Sequence, residues 1–459
     1  MSEEKVFGYL PDENPKFFEL ILFALQQIVV MFPATVLVAL ITGFHVSTTI
    51  FASGLATIAF ILVTGKKIPL YYGSSFSYIA AITSIMSAEQ FAHLSLNERI
   101  SVAQFGIVMS GLVSILAGVI VKRYGKKLIN KILPATVTGS IAIIIGLSLA
   151  GNALANAYSI PAYIVENGTD FEKSIATNYA FIIANVTLLS TILYSVYLKG
   201  KLSQLPVLFG LLTGYLTAVV IQAFTGIIFV NFKTFTDKSI FELPVFTLPK
   251  PTFAAVLAIM PIAIATIPES TAHIYQLDIY VKDLAMKKGV KKTYDIDKRL
   301  GHNLIGDGLG DIISGMIGGP AGTNYGENIS TMAITKTFSV SVLMVASIIT
   351  MGIACFTPLI NAVYSIPNAV IGGLSIYLFG VIAAQGVTIM MDKKVDMFSA
   401  RNLAIISVIL IIGLGGSFQF PNGMIPFFGM ELPAIATAAV VGILLNLLLT
   451  IGYKEPVEE

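Results

Sequence analysis

The chain has 459 residues, of which 55% are hydrophobic and only 12% charged, with a formal net charge of +2. That charged fraction is about half of what soluble proteins carry, and it excludes a soluble fold, which would have to bury several wholly apolar helices of membrane-crossing length. A single cysteine, Cys355, excludes an internal disulfide and a cysteine-based metal cluster.

Residues 1–16 carry Glu3, Glu4, Asp12 and Glu13 where a cleaved leader would be basic, so they read as a cytoplasmic tail. Charged residues are then absent from Leu20 to Gly65, from Thr337 to Met391 and from Asn402 to Met430. A crossing needs roughly 20 apolar residues, so each gap holds one to three of them. Fourteen segments are predicted, starting near Phe17, Ser47, Ile68, Ser101, Leu133, Ile175, Leu205, Phe253, Asn303, Tyr325, Val340, Pro367, Leu403 and Pro433. The third, "IPLYYGSSFSYIAAI", and the tenth, "GGPAGTNYGENISTMAI", open with Gly- and Pro-containing polar runs. Each is predicted as an extended piece leading into a half-length helix.

With the N-terminus in the cytoplasm, loops alternate so that 23 of the 28 Lys and Arg residues fall inside. Only Arg99, Lys173, Lys233, Lys238 and Lys250 fall outside. Positive charge is retained on the cytoplasmic side, so fourteen crossings with both termini inside are expected. The basic run from Lys282 to Arg299 reads as a solvated cytoplasmic loop with an amphipathic piece.

Two echoes recur along the chain. "YGSSFS" (Tyr72–Ser77) returns as "YGENIS" (Tyr325–Ser330), and "LPATVTG" (Leu133–Gly139) returns as "IPNAVIG" (Ile366–Gly372), at offsets of 253 and 233 residues. Each unit then holds seven segments. Seven is odd, so the second unit enters the membrane from the opposite side, an inverted repeat. Broken helices in such folds meet near the bilayer midplane, where their N-termini present free N–H groups to a polar ligand.

Ionisable side chains at membrane depth are costly and read as functional. The candidates are Glu269, His273, Asp307, Asp311 and Glu327. Glu269 and His273 stand four apart, on one helical face, where they can hydrogen-bond. The structural alternatives are a stapling pair at Glu269/His273 and a helix cap at Glu327. For Asp307 and Asp311, in "GDGLGD", bracing of backbone N–H groups is as well supported as ligand contact.

"YGSSFSYIA", "ESTAH", "TNYGENISTMAITK" and "IPNAVIGGLSIYLFGVIAAQG" resemble the nucleobase–ascorbate transporter family, its bacterial uracil permeases most of all. The likeness runs from about Phe17 to Leu449. The family signature stands here as Glu327, Asn328, Ile329, Ser330, Thr335 and Lys336. The resemblance implies a seven-plus-seven fold. Its core domain would cover 17–122 and 253–361 and its gate domain 132–230 and 364–453, between tails at 1–16 and 454–459. It implies a homodimer through gate helices, a nucleobase substrate, and a proton as coupling ion, with no cofactor, metal or nucleic acid. Glu269, Glu327, Phe76, Gly326, Ala34, Tyr325 and Asn328 would meet the base, and Glu269 with His273 would couple the proton. Asp307, Ser75 and Phe379 would support the site. The chain departs from uracil permeases at Gln26-Gln27, Pro33, Ser330 and Phe379, where the family usually has Gln-His, glycine, glycine and tyrosine.

Two carboxylates suit the N–H groups of a flat base, and half-helix N–H groups suit its carbonyls. Uptake of uracil is expected. A xanthine or other purine permease is the alternative. An anion exchanger would want an electropositive site. For an enzyme, no phosphate loop or nucleophile–base pair is visible.

Overall fold

In hydrocarbon every backbone polar group has to be satisfied within the protein, so apolar stretches of this length fold as helices. The computed structural model describes residues 7–125, 131–231, 239–428 and 430–451. Residues 1–6 of the expected N-terminal tail, all of the expected C-terminal tail, and the loop residues Lys126, Lys127, Lys233 and Lys238 lie outside the described residues. In chain order the helices are α1 (Phe17–Thr42), α2 (Val46–Val63), α3 (Phe76–Met86), α4 (Leu96–Tyr124), α5 (Ala135–Ala157), α6 (Asp170–Tyr197) and α7 (Pro206–Thr225). There follow α8 (Phe253–Lys287), α9 (Leu300–Ile317), α10 (Gly326–Thr335), α11 (Val340–Ala354), α12 (Asn368–Asp392), α13 (Ala400–Gln419) and α14 (Ala434–Thr450). A helix, or a strand leading into one, begins within five residues of every predicted start. Among the described residues nine helices are long and apolar enough to cross a membrane, and α3, α11 and α14 are shorter apolar helices. The chain is an α-helical, multi-pass membrane protein.

Before α3 lies β1 (Tyr72–Ser74), and before α10 lies β2 (Gly322–Asn324). The two strands pair antiparallel, with Tyr72 opposite Asn324, Gly73 opposite Thr323 and Ser74 opposite Gly322. A second hairpin, β3 (Met424–Phe427) with β4 (Met430–Pro433), joins α13 to α14.

The helices pack in two groups. In the first, α4 packs on α9, α9 on α2, α2 on α11, α11 on α1, and α8 on α4. In the second, α5 packs on α12, α12 on α6, α6 on α7, and α13 on both α5 and α14. Counting seven elements onward maps these pairs onto one another. The α4–α9 pair becomes α11–α2, α1–α11 becomes α8–α4, α6–α7 becomes α13–α14, and α6–α12 becomes α13–α5; α2–α9 and α5–α12 map onto themselves.

Lipid offers no hydrophobic drive between helices, so contact relies on close packing at small residues. Along α4 and α9 the glycines face each other reciprocally. A Cβ on Gly111 would stand 2.4 Å from the Gly308 carbonyl, and one on Gly308 would stand 2.3 Å from that of Gly111. Gly118 and Gly301, seven residues away on each helix, repeat this at 2.7 and 2.8 Å. In the second group Gly139 and Gly386 join α5 to α12 in the same way, at 2.7 and 2.4 Å.

The Lys282–Arg299 stretch differs from its expectation. Helix α8 continues to Lys287, and the loop beyond it docks on the segment before α1. Lys288 donates to Glu13 at 2.6 and 2.8 Å and to the Gly8 carbonyl at 2.9 Å. Asp12 accepts from Lys292 and, at 2.6 Å, from the Tyr294 hydroxyl. These two contacts, Lys292 first, hold the Asp12 carboxyl below the usual carboxylate range. Tyr9 pairs with the junction of α10 and α11: its N–H donates to the Lys336 carbonyl at 2.8 Å, and its carbonyl accepts from Phe338 N–H at 2.7 Å. Complementary charge and an unpaired backbone edge turn an expected loop into a seat.

The glycine contacts set a test. Gly308→Val should lower stability by about 3 kcal/mol or more, because a branched side chain has to push two backbones apart. Gly352→Ala, where an added Cβ meets nothing within 4 Å, should be neutral or stabilise by up to about 1 kcal/mol. Thermal unfolding of the purified variants checks both.

Candidate functional site

The strand pair positions the site. Each strand has an outer edge whose N–H and C=O groups face no third strand, and all six strand residues are buried. Such groups have to find side-chain partners. On β1, Thr57 Oγ1 of α2 accepts from Tyr72 N–H and donates to the Tyr72 carbonyl, both at 3.0 Å. On β2, Asp311 of α9 accepts from Gly322 N–H at 2.8 Å. The same Asp311 oxygen accepts from the Tyr72 hydroxyl at 2.5 Å, so it ties both strands to α9. Tyr325 crosses in the other direction: its hydroxyl donates to the Ser74 carbonyl at 2.9 Å and lies 3.0 Å from Thr35 Oγ1 of α1. Its ring needs Gly73, where a Cβ would stand 2.4 Å from the ring.

Asp307, one turn before Asp311, joins α8, α9 and β2. It accepts from Ser270 Oγ at 2.6 Å, from Asn324 Nδ2 at 2.8 Å and from Asn303 Nδ2 at 3.3 Å. Ser270 follows Glu269 on α8, and Asn324 stands three residues before Glu327. The buried aspartate therefore fixes the spacing between the two segments that carry the glutamates.

Glu269, half-buried, and Glu327, exposed, line one cavity of about 1530 Å³ together with Ser75, Phe76, His273, Tyr325 and Gly326. That is larger than the roughly 300–1,000 Å³ of a closed ligand pocket, so the cavity is a vestibule open at one end. It runs to Lys393, Lys394, Asp396 and Arg401, beyond the C-terminal end of α12. Its far wall, formed by the second group of helices, includes Thr136, Thr138, Ala142 and Ile145 of α5 and Leu378, Val381, Ile382 and Gln385 of α12. The N-termini of α3 and α10 open toward this space. The arrangement sets two carboxylates and the half-helix N-termini around one space beside the Phe76 ring.

A profile of the Xan_ur_permease family, described as a permease family, matches residues 18–422. The chain belongs to the Xan_ur_permease family. It is therefore a membrane permease rather than an enzyme. It is 36% identical to the uracil permease of Bacillus caldolyticus over 95% of this chain and 93% of that one. It is 33% identical to the uracil permease of Escherichia coli strain K12, over 95% and 92%. Among solved structures, the transmembrane domain of the cyanobacterial bicarbonate transporter BicA matches with a TM-score of 0.57 at 14% identity, over 95% of this chain and 98% of that one. SLC26A9 matches with a TM-score of 0.62 at 13% identity; this chain spans 65% of its length. At such identities the likeness is one of fold.

The permease structure brings together Glu269, Glu327, Phe76, Gly326, Tyr325, Ser75 and His273 of the residues expected at the site. Ala34 and Asn328 are not on the cavity wall. Ala34 is 8% exposed within an apolar cluster of the first helix group. Asn328 is fully buried and donates to the Gln27 carbonyl at 3.0 Å and to Gln27 Oε1 at 2.8 Å. The expected Glu269–His273 hydrogen bond is not formed. The imidazole instead lies over Gly326, where a Cβ would stand 2.9 Å from its Nε2. Asp307 braces from behind the wall, and Phe379 sits in the same apolar cluster as Phe76. Thr136, Thr138 and Gln385 were not singled out in the sequence, because only the folded chain sets them opposite the glutamates.

The placement of Asn328 has a measurable consequence. Asn328→Ala removes two hydrogen bonds to α1 and leaves the Gln27 oxygens buried, at a cost of about 1–3 kcal/mol. The melting temperature of the purified variant should fall. Affinity for the transported solute should stay within about threefold of the parent, since no wall contact is lost. A large affinity loss at unchanged melting temperature would put Asn328 on the ligand.

Proposed function

We propose that the protein takes up a nucleobase, uracil by preference, coupled to a proton. The observation that carries this reading is the convergence of Glu269 and Glu327, from two separate segments, on one cavity beside the two half-helix N-termini. Uracil presents two N–H donors between carbonyl acceptors. Carboxylates accept from the first, and main-chain N–H groups near Phe76 and Gly326 donate to the second, in charge-assisted and neutral hydrogen bonds respectively. The relatives named uracil permease support the pyrimidine over a purine. Glu269 and His273 are proposed as the proton-carrying groups, Glu269 because its carboxylate faces the cavity without a side-chain partner among the described residues.

The fold reading belongs to the same proposal. Fourteen crossings form an inverted seven-plus-seven repeat with both termini in the cytoplasm, and the reciprocal helix pairs and the antiparallel β1–β2 crossing support it. The first helix group is the core that carries the site, the second the gate. The core slides against the gate, elevator-like, between two faces. This structure is then open toward the cytoplasm, because its cavity ends at Lys393, Lys394 and Arg401. A homodimer through gate helices completes the assembly.

Uptake of labelled uracil into proteoliposomes, with xanthine as competitor, tests the substrate. Uptake should follow an imposed proton gradient, collapse with a protonophore and ignore sodium; a sodium-driven signal that persists with the protonophore refutes the coupling. Glu269→Gln should abolish concentrative uptake. Glu327→Gln should weaken uracil binding by about 10- to 150-fold, the loss of one charge-assisted hydrogen bond of about 1.5–3 kcal/mol, with melting temperature unchanged. A capping role at Glu327 would reverse that pattern, lowering the melting temperature by a stability loss of about 1 kcal/mol and sparing affinity.

A further inference from the structure

Within the first helix group, α9 lies in a seam between α2 and α4. Small residues let it in. A Cβ on Gly306 would stand 2.5 Å from the Phe60 ring of α2, and one on Gly118 of α4 would stand 2.8 Å from Ile305. From His302 to Met316, every residue of α9 that is not buried lies on one stripe: His302, Ile305, Leu309, Ile312, Ile313 and Met316. Apart from His302 that stripe is wholly apolar. Toward the His302 end, the flanking helices expose Val63 of α2 and Leu116 and Val119 of α4.

Cations head the seam. Lys122 stands in the last turn of α4, its Cβ 3.0 Å from where a Cβ on Gly301 would be. Lys67 follows α2, and Arg299 immediately precedes α9. All three act as positive charges on the His302 ring. The carboxylates nearest in sequence to Arg299 are already spent: Asp278 and Asp297 on Lys282 at 2.6 and 3.5 Å, and Asp295 on Lys298 at 3.2 Å. Among the described residues no carboxylate pairs with Lys67, Lys122 or Arg299. Arg299 Nε is buried without a hydrogen-bond partner. A cation at a helix C-terminus complements the dipole, which accounts for Lys67 and Lys122. Arg299 stands at the opposite end of its helix, where α9 has neither an acidic residue in its first turn nor a side-chain cap. Positive charge is unfavourable there until an anion joins it.

We propose that this seam binds an anionic phospholipid, its headgroup phosphate held by Lys67, Lys122 and Arg299 and an acyl chain laid along the α9 stripe. Two features select a lipid over a free phosphate. The apolar stripe begins at the cations, and Val63, Leu116 and Val119 widen it, so a ligand with a charged head and an apolar tail matches both parts. The headgroup has to carry net negative charge, because a zwitterionic one brings a cation of its own, and among the described residues no free carboxylate stands there to meet it. A phosphate in place gives Arg299 Nε an acceptor and relieves the repulsion among the three cations. The site lies wholly on the first helix group. It needs only that the chain spans a membrane and stands apart from the uracil reading.

The full chain, purified in a neutral maltoside detergent, is titrated with phosphatidylglycerol or phosphatidylcholine, and bound lipid is counted by native mass spectrometry. Phosphatidylglycerol should be retained about tenfold more tightly than phosphatidylcholine, and inorganic phosphate should not displace it. Removing one cation should weaken retention about fivefold, and the triple variant Lys67→Gln/Lys122→Gln/Arg299→Gln should weaken it about 100-fold. A control that removes the same charge elsewhere, Lys131→Gln/Lys393→Gln/Lys394→Gln, should stay within about twofold of the parent. Equal retention of the two lipids, or equal loss in the two triple variants, overturns the proposal. Displacement by inorganic phosphate overturns it in favour of a free anion. Should the first triple variant not fold, Lys67→Gln, at an exposed loop position, carries the test alone, and retention equal to the parent's overturns the proposal. Failure of the parent to take up uracil refutes the substrate assignment and leaves the lipid result standing.

Discussion

The antiparallel crossing of Tyr72–Ser74 with Gly322–Asn324 is the constraint on which the rest of the structure depends. Two breaks in helical hydrogen bonding are brought to the same depth, where each unpaired backbone group costs several kcal/mol. Pairing them satisfies only their facing edges. Thr57 partners Tyr72 on the outer edge of β1 and Asp311 partners Gly322 on that of β2, so the related helices α2 and α9 are both drawn in to support the sheet. The close glycine contacts of α9 with α4 follow from the same need, since α9 has to pass near enough to reach the strands. In exchange, two helices begin in the middle of the protein with their N-termini at the cavity, the first of them capped by Ser75, which accepts from Ser77 N–H at 3.3 Å.

This constraint sorts the buried acids. Asp311 commits one oxygen to both Tyr72 and Gly322, and Asp307 commits both of its oxygens, to Ser270, Asn303 and Asn324. Among the described residues no other side chain donates to Glu269 or Glu327, and both face the cavity. Acids bonded to several elements hold a shape, and acids that no other side chain partners are left to face the cavity. Both kinds look alike as isolated letters in an apolar sequence. What separates them is how many neighbours the fold turns toward each carboxylate.

Much of the fold was legible because its signals are local. Charge-free runs marked the helices, and the polar run before Tyr72 and Tyr325 marked the two breaks. The paired glutamates were legible for the same reason, as costly residues in apolar surroundings. The details that escaped are long-range. Nothing near Asn328 in sequence points to Gln27, 301 residues away. The spacing of Glu269 and His273 permitted a hydrogen bond, but helical spacing only sets which side chains can meet. The fold instead lays the imidazole over Gly326, more than fifty residues on, where a Cβ would stand 2.9 Å from its Nε2. Likewise Thr136 and Gln385 acquire meaning only once α5 and α12 are seen to form the opposite wall.

The open cavity also explains how two carboxylates are tolerated so near one another. Glu327 is exposed to this open cavity and Glu269 half-buried against it, so neither stands in a sealed apolar site. Any closure of the two helix groups over them shuts them off from water. A sealed, ionised carboxylate without a partner costs far more than one hydrogen bond returns, so a site closing over ionised, unpartnered acids would be disfavoured. A proton on one glutamate and an N–H donor at the other lift that penalty together, whereas either alone lifts only part of it. On the proposed reading, coupling then needs no dedicated relay between proton and substrate: it follows from two acids sharing one cavity whose closure is disfavoured until both are satisfied.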